Sequence, residues 1–325
     1  MTLRNCFLLL LLLPLSGVAQ NYPPEAGMPG STAIHFNSPL FIEWANGITV
    51  ERGYINKSNP NATASGSSFA TFGSPTNALG FPSGGVVSLG DGGTAILTFA
   101  NPIADRPGFD FAVFENGSST YLELAFVEVS SDGITYFRFA NHSQTQTSTQ
   151  LGTFQSPAAN YLHNLAGKYS SNYGTPFDIS ELPDTDLLDK SAIHYVKIID
   201  VVGSIDSAYA SYDSFGNAVN DSFPTPFNSC GFDLQGVGVL DTNLGTGAFD
   251  LKSKVFLYPN PTAAFFYVSN ANDAHLTLVD GNGRVLNSIL NYQNQPIAVG
   301  ELTSGVYFIV LDVGSVHSTL KLIVL

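Results

Sequence analysis

Four acidic residues have the setting expected of a calcium site: Asp91, Asp110, Glu115 and Asp233. Calcium takes six to eight oxygen ligands, mixing carboxylates with carbonyls from irregular loops. Asp91 lies in the glycine turn Gly90-Asp91-Gly92-Gly93. Asp110 and the pair Glu115-Asn116 flank an apolar run, and Asp233 lies in the last apolar run before residue 240. The same acids would equally well cap turns by accepting nearby backbone amides. Asp184, Asp186 and Asp189 are closely spaced but lack the glycine and terminal glutamate of an EF-hand loop.

A second group suits a flat organic ligand. Loops dense in Gly, Ser, Asn and Asp carry aromatics, and two tripeptides recur there, Thr175-Pro176-Phe177 and Thr225-Pro226-Phe227. Aromatic faces beside amides and carboxylates fit sugar rings. Tyr173, Phe177 and Phe227 are the expected stacking residues, with Asp178 and Asn228 as hydrogen-bonding partners. On this reading the loops 168–178 and 209–228 converge on one end or edge of the domain. The competing reading buries these rings to pin the loops down.

Catalytic signatures are missing. There is no G-x-S-x-G elbow, H-E-x-x-H pair, Walker loop or dinucleotide fingerprint, and the six histidines are scattered. Glu123 and Glu128 would be a pair for glycoside hydrolysis, but such pairs arise readily in an acidic chain. Cys230, the one cysteine besides Cys6, reads as a small buried residue. The expectation is a protein that is not an enzyme.

The elements that must position these groups are short strands. Of 325 residues, 31 are glycine and 18 proline, and aromatics make up 12%. That composition favours strands and turns over helices. A net charge of −14 argues against nucleic acid or an anionic membrane as partner. Residues 1–19 read as a secretory signal peptide: Arg4, an apolar core from Phe7 to Leu15, then Ser16 to Ala19. The apolar core is too short to span a bilayer, and no transmembrane segment is expected. Cys6 would leave with the signal, so no internal disulfide is expected.

The centre of the large domain runs from Gly108 to Phe139, where Ser131-Asp132-Gly133-Ile134 predicts a tight hairpin. Gly90–Gly93 predicts a second hairpin between the runs 86–89 and 95–99. Tyr161 to Ala166 has helical spacing, stopped by Gly167. Residues 20–240 thus read as a jelly-roll-like β-sandwich and 241–254 as a linker. Residues 255–325 read as a small β-sandwich with Asp280-Gly281-Asn282-Gly283 as a hairpin turn. The fold class is all-β.

Two resemblances add to this. Tyr258-Pro259-Asn260-Pro261-Thr262, the run from Val279 to Val285, the run from Leu302 to Tyr307, and Lys321-Leu322-Ile323 occur in order. With these motifs, residues 255–325 resemble the C-terminal sorting domain of the type IX (Por) secretion system of Bacteroidetes. That resemblance implies recognition by the type IX machinery and a place outside the outer membrane, at the cell surface or released. The large domain resembles uncharacterised bacterial cell-surface proteins, through segments such as Asp110 to Gly117, Asn164 to Tyr169 and Gly231 to Leu240.

The expected function is therefore non-catalytic ligand binding at the cell surface, with a glycan as ligand. The alternative is an accessory of a TonB-dependent uptake system that captures a small cofactor-like ligand. An uncharacterised hydrolase is the third reading.

Overall fold

The computed structural model describes residues 22–241, 255, 257–269, 271, 274–281, 283–313 and 316–325. The expected signal peptide and nearly all of the expected linker lie outside these residues. The chain divides into two compact units, residues 1–240 and 241–325.

In chain order the large unit has β1 (Ile34–His35), β2 (Phe41–Trp44), β3 (Gly47–Glu51), β4 (Val87–Ser88), β5 (Thr94–Ile103), β6 (Phe111–Glu115) and β7 (Ala125–Ser130). There follow β8 (Phe137–Arg138), β9 (His142–Ser143), β10 (Leu162–His163), β11 (Tyr173–Phe177), β12 (Ile193–Asp200) and β13 (Asp233–Leu240). One sheet has the order β1-β11-β6-β13-β2, with β4 also on β13; the other is β3-β5-β12-β7-β8. From β2 to β7 the chain changes sheet at every strand, which is the jelly-roll-like pattern. Helix is limited to three short 3-10 turns among the described residues.

Alternation along the strands builds the core. Phe111 and Val113 of β6 join Val127, Val129, Ile198, Val237 and Phe177 between the sheets. Ala112 and Phe114 face the other way and pack with Phe41 and Trp44. β6 is buried on both faces, as its nearly continuous apolar run requires.

Three local expectations are corrected. Gly90 and Gly92 do adopt positive φ (75° and 71°), but β4 and β5 belong to different sheets. The glycine turn is a crossover and not a hairpin. The Asp132 turn does join paired strands, β7 and β8, across a wider loop in which Asp132 Oδ1 accepts the amides of Ile134 and Thr135, each at 2.8 Å. Tyr161 ends a short 3-10 turn, and no helix continues from it to Ala166. The segment contains β10, and Asn164 (φ 47°) and Gly167 (φ 81°) turn the backbone. Six residues of helical spacing are too few to nucleate a helix against a competing strand partner.

The small unit comprises β14 (Leu257–Tyr258), β15 (Phe265–Val268), β16 (His275–Val279), β17 (Val285–Ile289), β18 (Ile297–Ala298), β19 (Gly305–Val313) and β20 (Val316–Val324). They form the sheets β14-β15-β18 and β17-β16-β19-β20. Its own core includes Phe266, Leu276, Tyr292, Ile309 and Leu322. β16 and β17 pair across the expected turn, where Asp280 Oδ1 accepts the Arg284 amide at 3.0 Å. Among the described residues no helix is long and apolar enough to cross a membrane.

Candidate ligand-binding cleft

β6 places its two flanking acids far apart. Asp110 precedes the strand and Glu115 ends it, so five residues at about 3.3 Å each put them roughly 16 Å apart. A calcium ion needs oxygens at about 2.3–2.6 Å. Asp110 therefore cannot share an ion with Glu115 and Asp233, and that expected grouping is corrected.

Glu115 and Asp233 do meet. β13 runs beside β6, with Leu234 opposite Glu115, and the Asn116 amide donates to the Asp233 carbonyl at 3.2 Å. Together with Glu123 they line an open cleft of about 340 Å³. Glu115 Oε2 accepts the Gly117 amide at 2.6 Å. Asp233 Oδ1 accepts the Ser88 hydroxyl. Glu123 Oε1 takes only a long bond from the Tyr121 hydroxyl, 3.4 Å. Burial, then the charge of Asp233, holds the Glu115 carboxyl well above its usual range. Burial, then Glu115 and Asp233, does the same to Glu123. Asp233 rises to about 6, mainly through burial, against the pull of the Ser88 hydroxyl and the Arg52 guanidinium.

The rim of this cleft is aromatic. Phe154 and Phe227 stack with centroids 5.9 Å apart and planes 28° apart, and they are 78% and 39% exposed. Their loops are fastened together. The Thr153 hydroxyl donates to the Pro224 carbonyl at 2.8 Å, and the Phe223 amide to the Leu151 carbonyl at 3.0 Å. Hydroxyl and amide groups of Asn116, Ser118, Tyr121 and Ser229 complete the lining. A carboxyl that burial favours in its protonated form can donate to a ligand hydroxyl as well as accept from one. Beside exposed ring faces, that arrangement can bind a hydroxyl-rich ring.

The other expected ligand residues lie elsewhere. Phe177 is 1% exposed, stacked on Phe111 at 5.4 Å in the core. It pairs with Phe111 at the far end of β6 from Glu115, so the two Thr-Pro-Phe segments do not converge. The cause is that the first one forms strand β11 and the second a loop. Tyr173 is half-buried and packs edge-on against His35 at 5.1 Å. Asn228 follows Phe227, but its carbonyl is held by the amides of Thr71 and Phe72.

Asp178 joins Asp110 and Asp105 instead. Carboxylate oxygens of these three lie within 4.8 Å of one another, which would suit a cation. Asp110 also accepts the amides of Ile179 and Arg106, at 2.7 and 2.8 Å. Burial raises its carboxyl to about 7, with the charges of Asp178 and Asp105 adding to the rise.

Asp91 belongs to a third group. Asp91, Glu123, Asp200 and Asp221 border a void of about 10 Å³, room for about one water or ion. Asp200 accepts the amides of Phe232 and Gly92 at 2.7 and 2.8 Å, and Asp221 those of Leu124 and Ser222 at 2.9 and 2.8 Å. Asp91 Oδ2 accepts the Lys57 amide at 2.7 Å. Capping thus accounts for much of this group. Glu128, considered as a partner for Glu123, is neutralised by Arg138 at 2.8 Å and Lys197 at 3.5 Å.

Sequence reasoning did not single out Phe154 or Tyr121 as ligand residues. The signal available for Phe154 was one large aromatic alone in a Ser/Thr/Gln-rich stretch.

Residues 256–325 match the family described as secretion system C-terminal sorting domain. No curated protein matches the chain. One similar solved structure is PorZ of Porphyromonas gingivalis, an essential bacterial surface component of the type IX secretion system, at 17% identity and TM-score 0.22. That match covers 28% of this chain and 14% of the other. Faecalibacterium prausnitzii β-glucuronidase matches at 12% identity and TM-score 0.29, over 90% of this chain and 46% of that one. The glycoside hydrolase domain of Endo-D from Streptococcus pneumoniae matches at 11% and 0.22, over 86% and 37%. The chain thus spans under half the length of each. Likenesses at these scores carry no argument about the cleft. The sorting domain bears on destination instead: it marks an exported, secreted or cell-surface protein addressed to the type IX machinery.

Proposed function

We propose that the large domain binds a glycan outside the outer membrane, without catalysis, in the cleft of Phe154, Phe227, Glu115, Glu123 and Asp233. The observation that carries this reading is the exposed Phe154–Phe227 stack beside three clustered carboxyls. Exposed stacked rings on fastened loops offer apolar area to a sugar face at little ordering cost. The carboxyls and Asn116 supply the polar contacts. A signal peptide would start the export and the sorting domain would complete it. Asp105, Asp110 and Asp178 would hold a structural calcium at the opposite end of β6.

The test is binding of the full-length protein to a panel of immobilised polysaccharides, with Phe154→Ala and Phe227→Ala in parallel and reducing-sugar release monitored. Retention that both substitutions weaken, with no sugar released, is the expected outcome. Hydrolysis, or retention indifferent to both substitutions, would overturn the reading. Retention of a flat cofactor-like molecule alone would favour the uptake-accessory alternative.

A further inference from the structure

A larger cleft, about 580 Å³, lies across the same wall. Along residues 118–123, Ser118, Tyr121 and Glu123 line the aromatic cleft, whereas Ser119, Thr120 and Leu122 line the larger one. Along the neighbouring loop, Phe154 faces the first cleft and Ser156 and Pro157 the second.

Lys168, which is 4% exposed, is among the residues that line the larger cleft. Its ammonium donates to the Leu162 carbonyl at 2.7 Å and sits 5.2 Å from the centroid of the Tyr169 ring. An ammonium has three donors, so one carbonyl leaves two without a hydrogen-bond acceptor. Among the described residues no carboxylate pairs with it; Glu25, which also lines the cleft, is exposed and makes no ion pair with it. Burying a charged amine without a counter-charge is costly.

The chain nevertheless holds Lys168 firmly. Gly167 has φ 81°, and a side chain there would overlap the Glu123 carbonyl oxygen. Tyr169, 1% exposed, shares a 2.8 Å hydrogen bond with the Thr32 hydroxyl. The backbone on both sides of Lys168 is thus fixed. Around it the cleft is half apolar, with Met28, Leu122, Pro157 and Ala158, and half hydroxyl, with Ser119 and Ser170.

We infer that this cleft is a second binding site, and that it takes a small carboxylate with a short apolar body. The ligand's carboxylate supplies the acceptors and the counter-charge that Lys168 lacks, and its body lies against Met28, Leu122 and Pro157. Desolvation alone lowers the amine to about 8, so it remains largely charged at neutral pH.

The probe pair is hexanoate and its neutral analogue hexanamide, titrated calorimetrically into the full-length protein at constant ionic strength. Hexanoate is expected to bind at least tenfold more tightly. Lys168→Gln should remove that preference. Ser119→Trp, which fills the cleft and keeps the lysine, should remove binding of both, and it remains informative if Lys168→Gln fails to fold. Equal affinity for the two probes, or a hexanoate preference that survives Ser119→Trp, would overturn the inference. Neither probe is a sugar, so the result is independent of the glycan reading.

Discussion

Phe154 lies over Phe227, 5.9 Å between centroids and 28° between planes, with each ring contributed by a different loop. Neither ring is in the core, so their removal separates binding from stability. Phe154→Ala should weaken polysaccharide retention by about 1–3 kcal/mol and change stability by no more than ~0.5 kcal/mol. Phe177→Ala should do the reverse. It opens a cavity between the sheets and costs about 3–5 kcal/mol, with retention intact wherever the variant is folded. Affinity electrophoresis and thermal melts on the three proteins check both halves.

The proposed calcium site lies at the other end of β6. If Asp105, Asp110 and Asp178 share an ion, excess calcium should raise the melting temperature of the large domain over chelator, because the ion binds only the folded state. Asp110→Asn should erase that difference. Coincident wild-type melts in calcium and in chelator would exclude a structural ion.

Acidity should affect the large domain in the sense opposite to a salt-bridged protein. Burial lifts Asp91 and Asp233 to about 6 and Asp110 and Asp221 to about 7, whereas an unfolded aspartate titrates near 3.8. Between these values the folded chain keeps protons that the unfolded chain has released. Stability from these groups is therefore fully present below about pH 4 and is lost as pH climbs through 6 and 7. In chelator, the melting temperature should fall from pH 5 to pH 8. Each ~1 kcal/mol lost lowers it by about 2–4 °C for a domain of this size. A melting temperature that rises over that interval would contradict the burial of these carboxyls.

Deleting residues 256–325 should abolish delivery to the cell surface and leave the large domain folded, because each unit has its own core. Cell fractionation with a protease-protection assay checks this. Normal surface levels of the truncated protein would refute the address.

Much of this architecture is legible in the residues. The apolar runs of β6, β7, β12 and β13, the Asp280 turn and the motifs from Tyr258 onward all point to two β-units. What a local pattern cannot reveal is the partner. Gly90 to Gly93 states that the chain turns, but not that β4 and β5 then part into different sheets. Thr175-Pro176-Phe177 and Thr225-Pro226-Phe227 are identical in letters. Only the neighbours β1 and β6 draw the first into a strand and bury its ring. Glu115, Asp233 and Phe227 were each recognisable as functional candidates. Their common cleft depends on β13 returning beside β6, more than a hundred residues later, and spacing does not encode that.

The placement of β13 has a consequence for timing. It is an interior strand, bonded to β2, β4 and β6, and it is the last strand of its unit. A nascent chain that has not reached Asp233 lacks the middle of a sheet and the floor of the aromatic cleft. No N-terminal fragment can settle into the native sandwich ahead of it, and closure requires joining segments from opposite ends of some two hundred residues. Such non-local pairing is slow. The domain thus stays open throughout most of its own synthesis and takes shape only as the sorting domain follows behind it.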